Sequence, residues 1–129
     1  MNKQGKIIIA ANANVWSHEI ETAKALAVAG FTVEFIRRSE EPHATSADIL
    51  IDGVKWEMKA PKGGSMKTVE KNLRKAVHQA SCIIFDSRRI KRIPDTAIER
   101  ELRTCCGSRV KGIERLLFIN RHAIVIDIK

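Results

Sequence analysis

The sequence predicts a single α/β (α+β) domain in which helices flank a mixed central sheet. Its 129 residues are the usual size of a domain with one core, and the 44% hydrophobic content is enough to fill that core. Apolar residues recur at helical spacing in some segments, and short runs of branched apolar residues lie between those segments. Because no repeat, low-complexity tract or linker divides the chain, we expect one domain over residues 1–129.

Each predicted element has a local signal. Gly30 suits the end of a first helix, and Asp52-Gly53 favours a tight turn because both residues tolerate positive φ. The apolar run at 82–86 is typical of a strand covered on both faces, and Pro94 favours a helix start. We expect helices at residues 15–29, 66–80 and 94–104, the last region ending at Gly107. Strands are expected at 7–11 (or an ordered lead-in), 31–36, 47–51, 54–60 and 82–86, with a final hairpin near 116–119 and 123–128 and loops at 37–46 and 62–65.

The chain is basic, and its charge is unevenly distributed. The net charge is +8, yet residues 1–60 carry 7 Lys+Arg and 8 Asp+Glu, whereas residues 61–129 carry 16 and 7. A basic half favours a polyanionic partner, either nucleic acid or an acidic protein. No run of 18 apolar residues occurs, so we expect no membrane span. The three cysteines have no framework spacing and predict no disulfide scaffold.

Three charged side chains are expected to converge on two neighbouring strands. Asp48 begins one strand, and Glu57 and Lys59 lie two residues apart on the next, so the latter two point to the same face. Carboxylate oxygens are ligands that Mg²⁺ prefers, and the backbone carbonyl of Met58 would add a third. Lys59 would then orient water or stabilise charge on a phosphate. The pattern predicts phosphodiester cleavage with a divalent metal, Mg²⁺ first and Mn²⁺ or Zn²⁺ as alternatives.

The order of these elements resembles the PD-(D/E)XK nuclease superfamily, whose core is helix, three-strand meander, helix, strand. Asp48 stands at the first acid of the motif, with Ala47 replacing the motif proline, and Glu57-Met-Lys59 stands at the second part. The resemblance covers residues 15–86. It implies a PD-(D/E)XK nuclease-like core with catalytic roles for Asp48, Glu57 and Lys59.

A closer resemblance is to the C-terminal toxin domains of contact-dependent growth inhibition (CdiA-type) systems. It is carried by Glu19-Ile-Glu21, by Leu26 to Phe31 and by Ala47 to Pro61. The resemblance implies a transfer-RNA nuclease that is part of a secreted or cell-surface-delivered toxin. Such a toxin acts in the target-cell cytoplasm and is neutralised by a cognate immunity protein, which we expect to be acidic. The alternatives are a DNA endonuclease of the same fold, of the repair or restriction type, and an inactive nucleic-acid-binding module.

In that family an acid on the first helix joins the active site. Glu19 and Glu21 face different ways on a helix, so at most one points at the metal, and we narrowly prefer Glu21. His18 and His78 are secondary candidates as proton donors, and Asn72 and Gln79 as contacts to substrate or water. Backbone N–H groups at a helix start and basic side chains beyond it bind phosphates. On that basis we expect nucleic-acid contacts from Ser65, Lys67, Thr68, Lys71, Arg74, Lys75, Arg88, Arg89, Lys91 and Arg92.

Overall fold

The computed structural model describes residues 4–37 and 47–129. These residues form a mixed α+β fold with seven β-strands, three α-helices and one π-helical turn, which confirms the predicted fold class. They divide into two compact units, the first ending at Trp56 and the second beginning at Glu57. The single domain over residues 1–129 and the PD-(D/E)XK core stay predictions. From residue 38 to 46, the predicted loop lies outside the described residues.

The elements follow the predicted order. They are β1 (Ile7–Ile9), α1 (Ser17–Val28), β2 (Val33–Ile36), β3 (Asp48–Ile51), β4 (Val54–Lys59), α2 (Lys67–Val77), β5 (Cys82–Asp86), α3 (Asp95–Thr104), a π-turn (Cys105–Arg109), β6 (Arg115–Ile119) and β7 (Val125–Asp127). Within the described residues, no helix is both long enough and apolar enough to cross a membrane.

In the first unit, strand pairing is mixed and α1 packs against β1 and β2. β1 runs parallel to β2, and β2, β3 and β4 are antiparallel neighbours. Burial alternates along β2 and β3, as the period of a strand requires. The turn from β3 to β4 has φ of 52° at Asp52 and 79° at Gly53, which confirms the tight-turn prediction. The strand register is therefore set where Asp48 enters the sheet, with Ile49 opposite Trp56.

The second unit is built around β5, whose five residues are all buried as predicted. β5 runs parallel to β6, and β6 pairs with β7 as the predicted antiparallel hairpin. Helices α2 and α3 contact each other, and α2 also contacts β5. One continuous core joins these elements, and its members include Val69, Leu73, Ile83, Phe85, Ile98, Leu102, Leu116 and Phe118.

The expectation that Gly107 ends the third helical region is wrong. The chain continues from α3 into the π-turn, where the Val110 N–H donates to the Cys105 carbonyl at 2.9 Å. Cys105 is fully buried and Val110 nearly so, and both belong to the core of the second unit. Burial of these two side chains outweighs the local preference of glycine for a helix end, and Gly107 lies within the turn.

Candidate active site and basic surfaces

Asp48 lies at the start of β3, in the first unit, with its side chain half-buried. Its Oδ1 is 3.8 Å from Nζ of Lys55, so both side chains project from the same face of the β3–β4 pair. The Ala47 N–H donates to the Asn14 carbonyl at 2.9 Å. Because Asn14 lies just before α1, this bond brings the beginning of that helix next to the beginning of β3. The first unit thus places Asp48 beside the end of α1 that carries the two candidate acids.

Glu19 and Glu21 have opposite environments on α1. Glu19 is 8% exposed, and its Oε1 accepts the Trp16 N–H at 2.9 Å, as a glutamate in the first turn does when it caps a helix. Glu21 is exposed and pairs with Lys24 at 3.3 Å. A carboxylate that contributes to a site on the sheet has to lie on the buried side of its helix. Burial therefore favours Glu19 for the role in which sequence alone narrowly favours Glu21.

Glu57 and Lys59 are paired on β4, at the start of the second unit. Oε2 of Glu57 lies 3.4 Å from Nζ of Lys59, and both side chains are half-buried. Trp56, between Lys55 and Glu57, is buried on the other face. A half-buried carboxylate offers oxygen ligands to a hard cation, and the ammonium beside it can contact an anion bound at the same place.

The secondary candidates are spread along the helices. His18 is half-buried on α1, and its carbonyl accepts the Thr22 hydroxyl at 3.1 Å. Asn72 donates from Nδ2 to the Thr68 carbonyl at 2.8 Å, so part of its amide serves its own helix. His78 and Gln79 are exposed beyond the last residue of α2. Since α2 is about 16 Å long, those two lie far from the loop that precedes it.

Residues at the start of α2 are partly engaged with one another. The Ser65 hydroxyl accepts the Lys67 N–H at 3.3 Å, and the Thr68 N–H donates to the Ser65 carbonyl at 3.1 Å. These bonds occupy N–H groups that a phosphate would need. Lys67, Lys71 and Lys75 are exposed and follow each other at one-turn spacing, so they form a cationic stripe on α2.

Arg74 belongs to an ion-pair network between α2, α3 and the π-turn that sequence reasoning missed. It lies 2.9 Å from Glu70 and donates to the Arg109 carbonyl at 3.0 Å. Arg109 in turn reaches Glu101 at 3.1 Å and Glu70 at 3.6 Å. The network depends on helix packing and on the π-turn, and neither has a signal in the sequence.

The same network surrounds the buried thiol of Cys105. Glu70, Glu101 and Cys105 offer two oxygens and a sulfur that all lie within 4.8 Å of one another. Burial, followed by the charges of Glu101 and Glu70, raises the pKa of Cys105 from 9.0 to about 11. Arg109 is paired with both carboxylates, so these side chains form an internal ion network beside the buried thiol.

The predicted basic connector lines a cleft of about 660 Å³ in the second unit. Arg88, Arg89, Lys91 and Arg92 lie along it, and they are joined by Lys62, which sequence reasoning left in a plain loop. Two loops that are distant in sequence pair to create this cleft. In the sequence, the feature that pointed to it was the clustering of lysine and arginine after residue 61.

Comparison with known proteins identifies the family. The family model of the contact-dependent growth inhibition CdiA C-terminal domain matches residues 45–125, which is more than half of the chain. The chain belongs to this family. It is therefore a contact-dependent growth inhibition toxin domain, of the kind that is delivered between cells. The residues matched by the CdiA C-terminal domain include Asp48, Glu57 and Lys59 as well as the basic cleft.

A solved structure has the same fold. The chain is similar to a CdiA-CT/CdiI toxin and immunity complex from Burkholderia pseudomallei, with a TM-score of 0.67 and 22% sequence identity. The similarity covers 87% of this chain and 82% of that one. At this identity it shows the fold. Among curated protein sequences, no match is found.

Proposed function

We propose that this CdiA C-terminal domain is a metal-dependent nuclease that cleaves RNA in the target-cell cytoplasm, with transfer RNA as the expected substrate. The observation that carries the proposal is the Glu57–Lys59 pair, 3.4 Å apart on one face of β4 and inside the family match. Toxins of this family are generally nucleases, which supports the reaction class. The basic half of the chain suits a polyanionic substrate.

Asp48 and Glu57 are the residues that would hold a divalent cation, with the Met58 carbonyl as a further oxygen donor. Both carboxylates are half-buried, and with the Met58 carbonyl they would make an all-oxygen donor set of the kind that suits Mg²⁺ or Mn²⁺. When bound, such a cation supplies positive charge at the reacting phosphate and lowers the pKa of water. Lys59 positions the attacking water or stabilises the charge that develops on the phosphate oxygens.

The decisive experiment compares purified wild-type domain with Lys59→Ala and Glu57→Gln. Each is incubated with total RNA, purified transfer RNA and plasmid DNA, with Mg²⁺ or with chelator. Lys111→Ala, at an exposed lysine in a turn, is the matched control. We expect losses of roughly 100-fold or more for the two site variants and for chelator, and none for the control. Full activity of Lys59→Ala together with full activity in chelator would contradict the proposed mechanism.

The contribution of the first helix is tested in the same assay with Glu19→Gln and Glu21→Gln. Glutamine retains an oxygen that can accept the Trp16 N–H, so Glu19→Gln preserves the capping bond while it removes the charge. We expect Glu19→Gln to lose activity and Glu21→Gln to retain it. The opposite ranking would assign the role to Glu21.

The substrate arms also separate the alternatives. Cleavage of plasmid DNA in preference to RNA would indicate a DNA endonuclease of the same fold. Binding of nucleic acid without cleavage under any metal would indicate an inactive binding module.

An immunity protein is the second expected partner. The solved structure of similar fold is a toxin and immunity complex, which supports a cognate immunity protein for this toxin domain. Residues 61–129 carry the excess of positive charge, so an acidic partner would be attracted to the second unit. Co-purification of the toxin with the protein encoded next to it tests this expectation, and free toxin after such co-expression would contradict it.

A further inference from the structure

The basic cleft of the second unit lies between the loop that follows β4 and the loop that follows β5. Seven residues line it: Lys62, Gly63, Gly64, Arg88, Arg89, Lys91 and Arg92. Five of these seven residues are cations, and none of the seven carries a carboxylate. Arg88 is paired with Asp86, and the other four like charges around one concavity raise the electrostatic energy of the folded chain, which a bound anion would lower.

The two loops are held together by backbone bonds. Gly63 forms a parallel bridge with Ile90, and the Lys91 N–H donates to the Gly63 carbonyl at 3.3 Å. Ile90 is buried, which anchors the second loop. The Arg89 guanidinium spans the loops by donating to the Ala60 carbonyl at 2.9 Å. These bonds between the two loops therefore fix the concave shape of the cleft.

The cations of the cleft divide into two groups. Arg88 is held by the buried Asp86 carboxylate, with Nη2 to Oδ2 at 2.7 Å, and Arg89 is held by Ala60. Lys62, Lys91 and Arg92 are exposed, and no carboxylate in the described part of the chain pairs with them. The first group builds the wall, and the second group is available to a ligand.

The cleft directly follows the Glu57–Lys59 pair. Lys62 is three residues beyond Lys59, and Ala60, which Arg89 binds, is the next residue after it. Gly63 and Gly64 carry no side chain, so an anion can approach the main chain of the loop between β4 and α2. An anion in the cleft is thus close along the chain to the lysine proposed to act on the scissile phosphate.

We infer that this cleft binds backbone phosphates of the substrate strand that flank the phosphate being cut. The inference rests on the proposed nuclease function for the identity of the strand. A concave, cationic groove suits a single strand, whose backbone bends into it, better than a rigid duplex. The side chains of the lining are all lysine or arginine, so we expect contacts with phosphates to dominate binding in the cleft.

The test measures binding separately from cleavage. A fluorescein-labelled single-stranded RNA of about 12 nucleotides is titrated with the full chain in chelator, and anisotropy is followed from about 50 to 200 mM salt. The cleft variant is Lys62→Gln/Lys91→Gln. Its control, Lys6→Gln/Lys111→Gln, removes the same charge from exposed lysines elsewhere. Arg92 is left unchanged so that the cleft variant and its control each replace two lysines.

The expected result is a loss of affinity on the order of tenfold for the cleft variant, with the slope of log K against log salt smaller by about 1.4. The control variant should bind as wild type does. Equal affinity and equal slope in the two variants would overturn the inference. If the cleft variant loses binding while the wild type cleaves nothing, the phosphate site stands and the nuclease proposal fails.

Discussion

Arg88→Ala should destabilise the fold far more than Arg103→Ala, although both remove one arginine from a short ion pair. Arg88 is 25% exposed and Asp86 is 4% exposed, with Nη2–Oδ2 at 2.7 Å and Nε–Oδ1 at 3.0 Å. Breaking a buried ion pair costs about 3–5 kcal/mol, and partial access of water to Arg88 reduces this to about 3 kcal/mol. Arg103 is 51% exposed and pairs with Glu99 at 2.9 Å one turn away on α3, a contact worth about 0.3–0.5 kcal/mol.

The measurement is urea unfolding of both variants, followed by circular dichroism. The two free energies of unfolding should differ by about 2.5 kcal/mol, which corresponds to roughly 8 °C in Tm for a domain of this size. Arg88→Lys should fall between them, because lysine retains the charge and loses the two-pronged geometry. If Arg88→Ala proves no more destabilising than Arg103→Ala, the reasoning that Asp86 anchors the wall of the cleft is refuted.

Three further variants test the packing of the two units. In Gly5→Ala the new Cβ would lie 1.8 Å from the Phe31 carbonyl oxygen, so we expect a loss of about 2 kcal/mol or more in urea unfolding. Gly107→Ala, whose Cβ meets nothing within 4 Å, should change stability by less than about 0.5 kcal/mol, and equal losses would contradict the clash. Burial raises the pKa of the Cys105 thiol from 9.0 to about 11, so the unfolded chain releases the thiol proton at a lower pH than the folded chain does. The free energy of unfolding therefore falls by about 2–3 kcal/mol as the pH rises through this range. Cys105→Ala should lose that part of the pH dependence in unfolding curves at about pH 8 and 10.5, and an unchanged slope would contradict the buried thiol.

Much of the fold could be predicted because its signals are local. Asp52-Gly53 predicted the tight turn that the structure contains, and the apolar run of β5 predicted its complete burial. Alternation along a strand predicted that Glu57 and Lys59 share a face, and their 3.4 Å pair confirms it. The same reasoning failed at Gly107, where a helix-end residue lies inside a π-turn because core burial on either side of it is stronger.

Helical periodicity could not decide between Glu19 and Glu21. Two acids two residues apart had to face different ways, but the pattern of residues did not say which way was inward. Only the packing of α1 buries Glu19 and exposes Glu21. The choice bears on the proposed metal site, and it depends on contacts between residues that are distant along the chain.

The sequence by itself determined the order of elements, the Asp48 and Glu57-x-Lys59 pattern, the family resemblance and the concentration of positive charge after residue 60. These properties depend on spacing and composition, which are read along the chain. The tertiary structure alone decided that Lys62 joins the basic connector from Arg88 to Arg92 around one cleft. It also decided that Arg74 is paired with Glu70 while Lys67, Lys71 and Lys75 remain exposed. Arg89 and Ala60 are 29 residues apart, and backbone pairing between their loops brings them to 2.9 Å. No local period encodes such a contact, because it forms only when two loops from non-adjacent parts of the chain are held side by side.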